Sequence, residues 1–134
     1  ARGLQELLAE SDVVTLHCPS NEATRSLINH DTLQQMKPGS VLINVARGDI
    51  VDTDALVKAL QDGQLSGAAL DVFEPEPLPV DHPLLAMEQV LVSSHVASAS
   101  PKASRVLRET AAGIVARRIR GEPLPNVVNG VSAE

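Results

Sequence analysis

The 134-residue chain is predicted to be an α/β protein with a parallel sheet, and three observations lead to this prediction. First, helical patterns alternate along the chain with short runs rich in Val, Leu and Ile. Second, these runs are apolar throughout, which is typical of parallel strands covered on both faces. Third, prolines and glycines lie between these segments at regular intervals and mark their ends. Right-handed crossovers are expected between the strands.

The first two helices are predicted from apolar spacing and from a stop signal. Leu4, Leu7 and Leu8 lie at helical spacing and predict a short helix at the start of the chain. A second short helix over 31–36 is stopped by the Pro-Gly pair at 38–39.

The later helices have recognisable caps. Asp52 or Thr53 is a plausible N-cap for a helix that Gly63 ends. Ser100 followed by Pro101 is typical of a helix N-terminus. A long terminal helix over 101–120 and a tail over 121–134 are therefore predicted.

Four apolar runs predict buried strands. The proline-rich segment 75–83, PEPLPVDHP, is unsuited to a helix or a central strand and is predicted to be a stiff loop. The predicted strands are VVTLHC (13–18), SVLINV (40–45), GAALDVF (67–73) and QVLVSS (89–94).

Composition and charge argue against several classes of protein. The net charge of −6 and the pI near 5.1 argue against a nucleic-acid partner. No apolar run approaches the ~20 residues that span a bilayer, so no membrane segment is predicted. The single cysteine excludes an internal disulfide and fits the cytoplasm. The basic cluster Arg117, Arg118 and Arg120 ends a predicted helix, where positive charges suit the helix dipole.

Polar side chains follow the predicted strands and indicate a functional site. Arg47 comes directly after the second strand, and Asp71 lies near the end of the third. Glu76 follows in the proline-rich loop, and His95 comes directly after the fourth strand. Ligands of open parallel sheets bind beyond the carboxyl ends of the strands, so these side chains are expected at one edge.

Two of these residues, Arg47 and His95, also have a purely structural interpretation. Arg47 could pair with Asp49 or Asp52 nearby, and His95 could be a hydrogen-bonded histidine of the core. Asp71 within an apolar run is harder to explain in this way, because a buried carboxylate needs hydrogen-bond donors.

Other residues leave similar alternatives open. Glu74 and Glu76 could be solvated charges on the loop. Cys18 could be a nucleophile paired with a distant histidine, or a small apolar filler. The four histidines are too scattered for zinc ligands, so no metal site is predicted.

Two long segments and their order resemble one known family. LLAESDVVTLHCPSNEATRSLIN (7–29) and MKPGSVLINVARGDIVDTDAL (36–56) resemble signature segments of the D-isomer-specific 2-hydroxyacid dehydrogenases. GAALDVFEPEP, the segment around His95 and the GEPLPNVVN tail continue the resemblance. It implies a Rossmann-type fold and an NAD(P)-dependent oxidoreductase. Because the chain contains no G-x-G-x-x-G, we expect 1–134 to be the C-terminal half of the NAD-binding domain, without the glycine fingerprint and the substrate domain.

The resemblance also implies roles for individual residues. Arg47 matches the arginine that binds the substrate carboxylate, and His95 matches the general acid/base. Glu76 matches the glutamate that holds this histidine and favours its protonated form. The implied cofactor is NAD or NADP, and the implied cofactor-binding residues are Cys18, Pro19, Thr24, Val45, Ala46, Asp71, Ala97 and Ser98.

The expected partner of this site is a small 2-keto or 2-hydroxy acid, and a homodimer is expected for the full-length protein. Two alternatives remain at this stage. The 134 residues could be a catalytically inactive fragment, or the protein could be a dehydrogenase-like corepressor or other binding protein.

Overall fold

The computed structural model describes residues 2–127, which divide into two compact units on either side of the Ala97–Ser98 bond. The first unit contains a four-stranded parallel sheet, as predicted, and its strand order is β1-β2-β3-β4. Its strands are β1 (Val13–Leu16), β2 (Ser40–Asn44), β3 (Leu65–Leu70) and β4 (Val90–Val92), and its helices are α1 (Leu4–Glu10), α2 (His30–Gln35) and α3 (Thr53–Gln61).

The strand register places four residues in a row across the sheet. Thr15 pairs with Ile43, Ile43 with Ala69, and Ala69 with Leu91. The two central strands end together, because Asn44 pairs with Leu70. The segments that follow β2 and β3 therefore leave the sheet at the same edge.

All four strands end earlier than the sequence predicts, and among them β2 ends at Asn44 and β4 at Val92. β1 ends at Leu16, so His17 and Cys18 belong to the following loop. β3 extends from Leu65 to Leu70, so Asp71 is the first residue after the strand. The end of β3 coincides with the end of its pairing to β2, which is a long-range contact.

The prediction that the strands are covered on both faces is wrong for the outer strands. Residues of all three helices form one core cluster with the sheet residues Val14 and Leu42. On β1, burial alternates, and the side chain of Val13 is 53% exposed. On β4, Leu91 is 73% exposed. A continuous apolar run shows that a strand can be buried, but the packing of helices decides which face is covered.

The predicted caps are confirmed. The Asp52 side chain accepts a hydrogen bond from the backbone amide of Ala55 at 3.0 Å and caps α3. Gly63 follows that helix with φ +75°, a conformation that glycine adopts without strain.

The second unit contains α4 (Pro101–Ile119), which begins one residue after its cap. The Ser100 hydroxyl accepts a hydrogen bond from the amide of Ala103 at 3.0 Å. No residue of α4 is buried. Part of the predicted tail, 128–134, lies outside the described residues. Within residues 2–127, no helix is long and apolar enough to cross a membrane.

Candidate active site

The turn that presents Arg47 is shaped by the side chain of Asn44, the last residue of β2. Asn44 is 1% exposed. Its Nδ2 donates a hydrogen bond to the carbonyl of Arg47 at 2.9 Å, and its Oδ1 accepts one from the amide of Ala46 at 3.1 Å. Sequence reasoning missed Asn44, although a polar residue within an apolar run is a signal for such a role.

The Arg47 side chain is exposed and does not form the ion pairs that were its structural alternative. Its Nη1 donates to the carbonyl of Ala46 at 2.6 Å. Asp49 instead accepts from the Ser20 hydroxyl, at 2.6 Å, and pairs with Arg25. Among residues 2–127, no carboxylate forms an ion pair with Arg47, so the guanidinium can receive an anion.

Gly48 allows the Arg47 turn to lie directly against the loop after β3. A Cβ atom added at this position would overlap the carbonyl group of Phe73. The Thr53 hydroxyl adds a hydrogen bond to the carbonyl of Glu74 at 3.1 Å. The turn with Arg47 and the loop with Glu76 are therefore held together by backbone contact.

Glu76 and His95 form a pair across 19 residues of sequence. His95 Nδ1 lies 2.8 Å from Glu76 Oε1, and the two side chains are 46% and 40% exposed. The alternatives of a core histidine and a merely solvated glutamate are therefore wrong. The hydrogen bond from His95 lowers the pKa of Glu76 against opposing desolvation, and the amide of Phe73 adds to the shift.

The backbone that presents His95 is anchored on Asp71. His95 has φ +56°, a left-handed conformation that costs about 1–3 kcal/mol in a non-glycine residue. Its amide donates to the Asp71 carbonyl at 2.8 Å. The Asp71 carboxylate accepts from the Ser93 hydroxyl at 2.5 Å and from the amides of Val96 and Ala97, each at 2.8 Å. One carboxylate thus fixes the segment on both sides of His95.

Asp71 is 4% exposed, and the expectation that it needs donors is confirmed. Burial raises the pKa of Asp71, but the hydrogen bonds from Ser93, Ala97 and Val96 outweigh this effect. They hold its pKa below the ordinary value, and the nearby His95 charge acts in the same direction. Asp71 is therefore ionised at neutral pH.

The structure brings together three of the predicted cofactor residues. Val45, Asp71 and Ala97 line one cleft of about 160 Å³ on the sheet, with Leu91 and other residues of β3 and β4. Ala46 is buried in the adjacent turn.

The remaining predicted cofactor residues lie elsewhere in the chain. Cys18 packs against the core from the loop after β1. In the same loop, the Thr24 hydroxyl donates to the carbonyl of Pro19 at 2.7 Å. Ser98 belongs to the second unit.

A second, larger cavity of about 540 Å³ opens beside the Glu76–His95 pair. Most of its wall is apolar, so the pair lies at the boundary between a polar edge and an apolar space. The lining residues are Phe73, Glu76, Pro77, Leu78, Leu85, Val92, Ser93, Ser94 and His95.

An open parallel sheet with charged side chains beyond the carboxyl ends of its strands has the arrangement in which α/β domains bind ligands. Residues 1–97 match the family model described as "D-isomer specific 2-hydroxyacid dehydrogenase, NAD binding domain". The chain belongs to this family.

The relatives agree with this assignment. A glyoxylate reductase of Thermofilum pendens is 48% identical over 126 residues, which cover 94% of this chain and 37% of the relative. The human glyoxylate reductase/hydroxypyruvate reductase is 40% identical, over 90% of this chain and 37% of the relative. The chain thus spans less than two-fifths of the length of these curated relatives.

Solved structures confirm the Rossmann-type fold. The holo form of Rhodotorula graminis D-mandelate dehydrogenase matches 98% of this chain and 38% of its own, with a TM-score of 0.90 and 32% identity. A D-isomer specific 2-hydroxyacid dehydrogenase from Xanthobacter autotrophicus Py2, solved with NADPH and MES, matches 94% of this chain and 51% of its own. Its TM-score is 0.85 and its identity 42%.

The close approach at Gly48 predicts the effect of adding a methyl group there. Gly48→Ala should lower the free energy of unfolding by about 1–3 kcal/mol, because the turn must move away from the Phe73 carbonyl. Chemical denaturation of the native protein measures this. Gly113→Ala is the matched control: the site is in α4 with open space around it, and alanine should stabilise the helix. A Gly48→Ala protein as stable as wild type would contradict the predicted overlap.

The lowered pKa of Asp71 predicts a pH-dependent loss of stability. The contribution of an acid whose pKa falls on folding is complete above its unfolded pKa, ~3.9, and is lost as pH falls through the folded value. Asp71→Asn should therefore cost about 1–3 kcal/mol at pH 7. Its difference from wild type should shrink below pH ~4.

Denaturation of the native protein at both pH values measures this effect. Asp12→Asn serves as the control, because Asp12 is 81% exposed and pairs with Lys37 on the surface. It should cost under about 1 kcal/mol. An Asp71→Asn difference that does not change between pH 7 and pH 3 would refute the assignment of this stability to the ionised carboxylate.

Proposed function

We propose that the protein containing this chain transfers hydride between NAD(P)(H) and a small 2-keto or 2-hydroxy acid. The observation that carries the proposal is the 2.8 Å contact between His95 and Glu76 at the strand edge that also presents Arg47. The family of the chain and the names of its relatives, several of them glyoxylate reductases, support the same reaction.

Arg47 binds the carboxylate of the acid in this proposal. Its guanidinium donates in one plane and can hold both oxygens of a carboxylate. The absence of an ion pair to Arg47 within residues 2–127 leaves those donors for the substrate. Bound in this way, the acid has its carbonyl carbon next to the anchored group, where Arg47 helps to polarise the carbonyl.

His95 is the proposed general acid/base. Its Nδ1 is engaged by Glu76, so Nε2 is the nitrogen that can face the substrate. During reduction, the proton leaves Nε2 for the carbonyl oxygen, and during oxidation it returns from the hydroxyl group. Glu76 stays ionised because its pKa is lowered, and in this proposal its carboxylate holds Nδ1 and orients the imidazole ring.

The cleft at Val45, Asp71 and Ala97 fits the nicotinamide end of the cofactor. Its mostly aliphatic walls suit a flat ring, and the ionised Asp71 can accept from a carboxamide. When bound, the nicotinamide supplies or accepts the hydride. We propose that the other cofactor contacts come from Cys18, Pro19, Thr24, Ala46 and Ser98, several of them through backbone atoms.

We further propose that 1–134 is the C-terminal portion of an NAD(P)-binding domain in a longer, cytoplasmic protein that forms a homodimer. The observation that supports a longer protein is that the chain spans 37% to 38% of several curated relatives while the matched segments cover most of the chain.

His95→Gln tests the acid/base role. In the native protein, turnover of glyoxylate or hydroxypyruvate with NADH or NADPH should fall more than tenfold, which is about 1.4 kcal/mol of barrier. His30→Gln, at an exposed position in α2, should leave turnover unchanged. A smaller loss at His95 would show that another group transfers the proton. If the wild type reduces none of a panel of keto acids, the binding-protein or inactive-fragment alternative replaces the enzyme.

Arg47→Lys tests the carboxylate contact. Lysine keeps the charge but loses the planar pair of donors, so KM for the keto acid should rise at least about tenfold. Initial-rate kinetics with glyoxylate measure this. Arg105→Lys, in an exposed ion pair of α4, is the matched control and should leave KM unchanged. An unchanged KM at Arg47 would exclude it as the main carboxylate ligand.

A further inference from the structure

We propose that Asn44 is a positioning residue that fixes the orientation of Arg47 toward the carboxylate of the substrate. This inference rests on the proposed function, because it assigns Asn44 a part in substrate binding. It concerns a residue that touches neither the substrate nor the cofactor in the proposed reaction.

The Asn44 side chain bridges two backbone groups of the turn that contains Arg47. Its Oδ1 accepts from the amide of Ala46, and its Nδ2 donates to the carbonyl of Arg47. These two bonds, of 3.1 and 2.9 Å, hold the peptide groups on either side of the Ala46–Arg47 link. They therefore fix the two peptide groups between which the Ala46–Arg47 peptide lies.

The Ala46–Arg47 peptide in turn contacts the guanidinium. The carbonyl of Ala46 points to Nη1 of Arg47 at 2.6 Å, which is the one hydrogen bond of this side chain within residues 2–127. A change in the peptide plane therefore changes the direction of the guanidinium. Asn44 acts on Arg47 through this carbonyl.

The chemistry of the amide explains why asparagine is suited to this position. One side chain must supply a donor and an acceptor at the same time, which neither a carboxylate nor an apolar side chain can do. Asn44 is 1% exposed among the apolar residues of β2, where a polar group costs free energy unless it is hydrogen-bonded. An apolar residue would suit the packing of the strand better, so the role of Asn44 is in the turn.

The anchor of this arrangement is the sheet itself. The carbonyl of Asn44 accepts from the amide of Asp71 at 2.9 Å, which fixes the backbone of Asn44 to the end of β3. The side chain of Asn44 therefore extends from a fixed backbone, and its two hydrogen bonds determine the position of the Arg47 backbone.

The test is a double-mutant cycle in the native protein, with glyoxylate and NADH or NADPH as the probes. Asn44→Ala should raise KM for glyoxylate at least about tenfold, with a smaller change in kcat. The dissociation constant for the reduced cofactor should stay within about threefold. In an Arg47→Lys background, Asn44→Ala should raise KM by less than about threefold, because the group it positions is already changed.

Ser40→Ala is the matched control on the same strand. Ser40 is also a buried polar residue of β2, at 2% exposure, but its hydroxyl has no hydrogen-bond partner among the described residues. Its removal should leave KM for glyoxylate unchanged. Asn44→Asp provides a second variant of almost the same size, which keeps the acceptor for Ala46 and loses the donor for Arg47. It should raise KM and is the variant to use if Asn44→Ala does not fold.

Two results would overturn the inference. One is an unchanged KM in an Asn44 variant that circular dichroism and thermal unfolding show to be folded. The other is an equal rise of KM with and without Arg47, which would make Asn44 a residue that acts independently of the arginine. Failure of the proposed function gives a different result. In that case the wild-type protein itself turns over no keto acid, whereas failure of this inference requires an active wild type.

Discussion

The hydrogen bond from the amide of Asp71 to the carbonyl of Asn44, at 2.9 Å, is the point on which the candidate site depends. It is the last link between the two central strands, and both residues are buried polar groups at the edge where ligands bind. The side chain of Asn44 holds the Arg47 turn, and the carboxylate of Asp71 holds the segment around His95. The register of β2 and β3 therefore sets the distance between the proposed carboxylate ligand and the proposed acid/base.

Buried polar groups are costly, and the structure shows how their cost is offset. Asp71 is stabilised in its charged form by three donors, and these same donors belong to the segment that must be held. The left-handed backbone of His95 is stabilised by the hydrogen bond from its amide to the Asp71 carbonyl. The hydrogen bonds from the amides of Val96 and Ala97 to the Asp71 carboxylate stabilise it on the C-terminal side. At Gly48 the constraint is steric. A residue without a side chain avoids an overlap with the Phe73 carbonyl group and lets the neighbouring loop approach.

The sequence predicts the charged members of the site better than the residues that support them. Arg47 and His95 stand out because each directly follows an apolar run, and the resemblance to the dehydrogenases adds Glu76. Asn44 escapes notice because it lies inside such a run, and its hydrogen bonds are visible only once the turn is formed. The role of Gly48 depends on a peptide group 25 positions later, which no local pattern shows. The order and type of the helices and strands follow from local signals, whereas strand ends and covered faces depend on long-range packing.

The exposure of the Glu76–His95 pair connects its electrostatics to substrate binding. With 40% and 46% of their side chains in contact with solvent, the two groups interact through a medium close to water. Such a medium screens the attraction between opposite charges, and this attraction grows as the local dielectric constant falls. In the proposed reaction, a keto acid bound at this edge would displace water from the imidazole and would strengthen the attraction between Glu76 and the ring. The pairing with Glu76 would therefore be strongest when the group that receives the proton is bound.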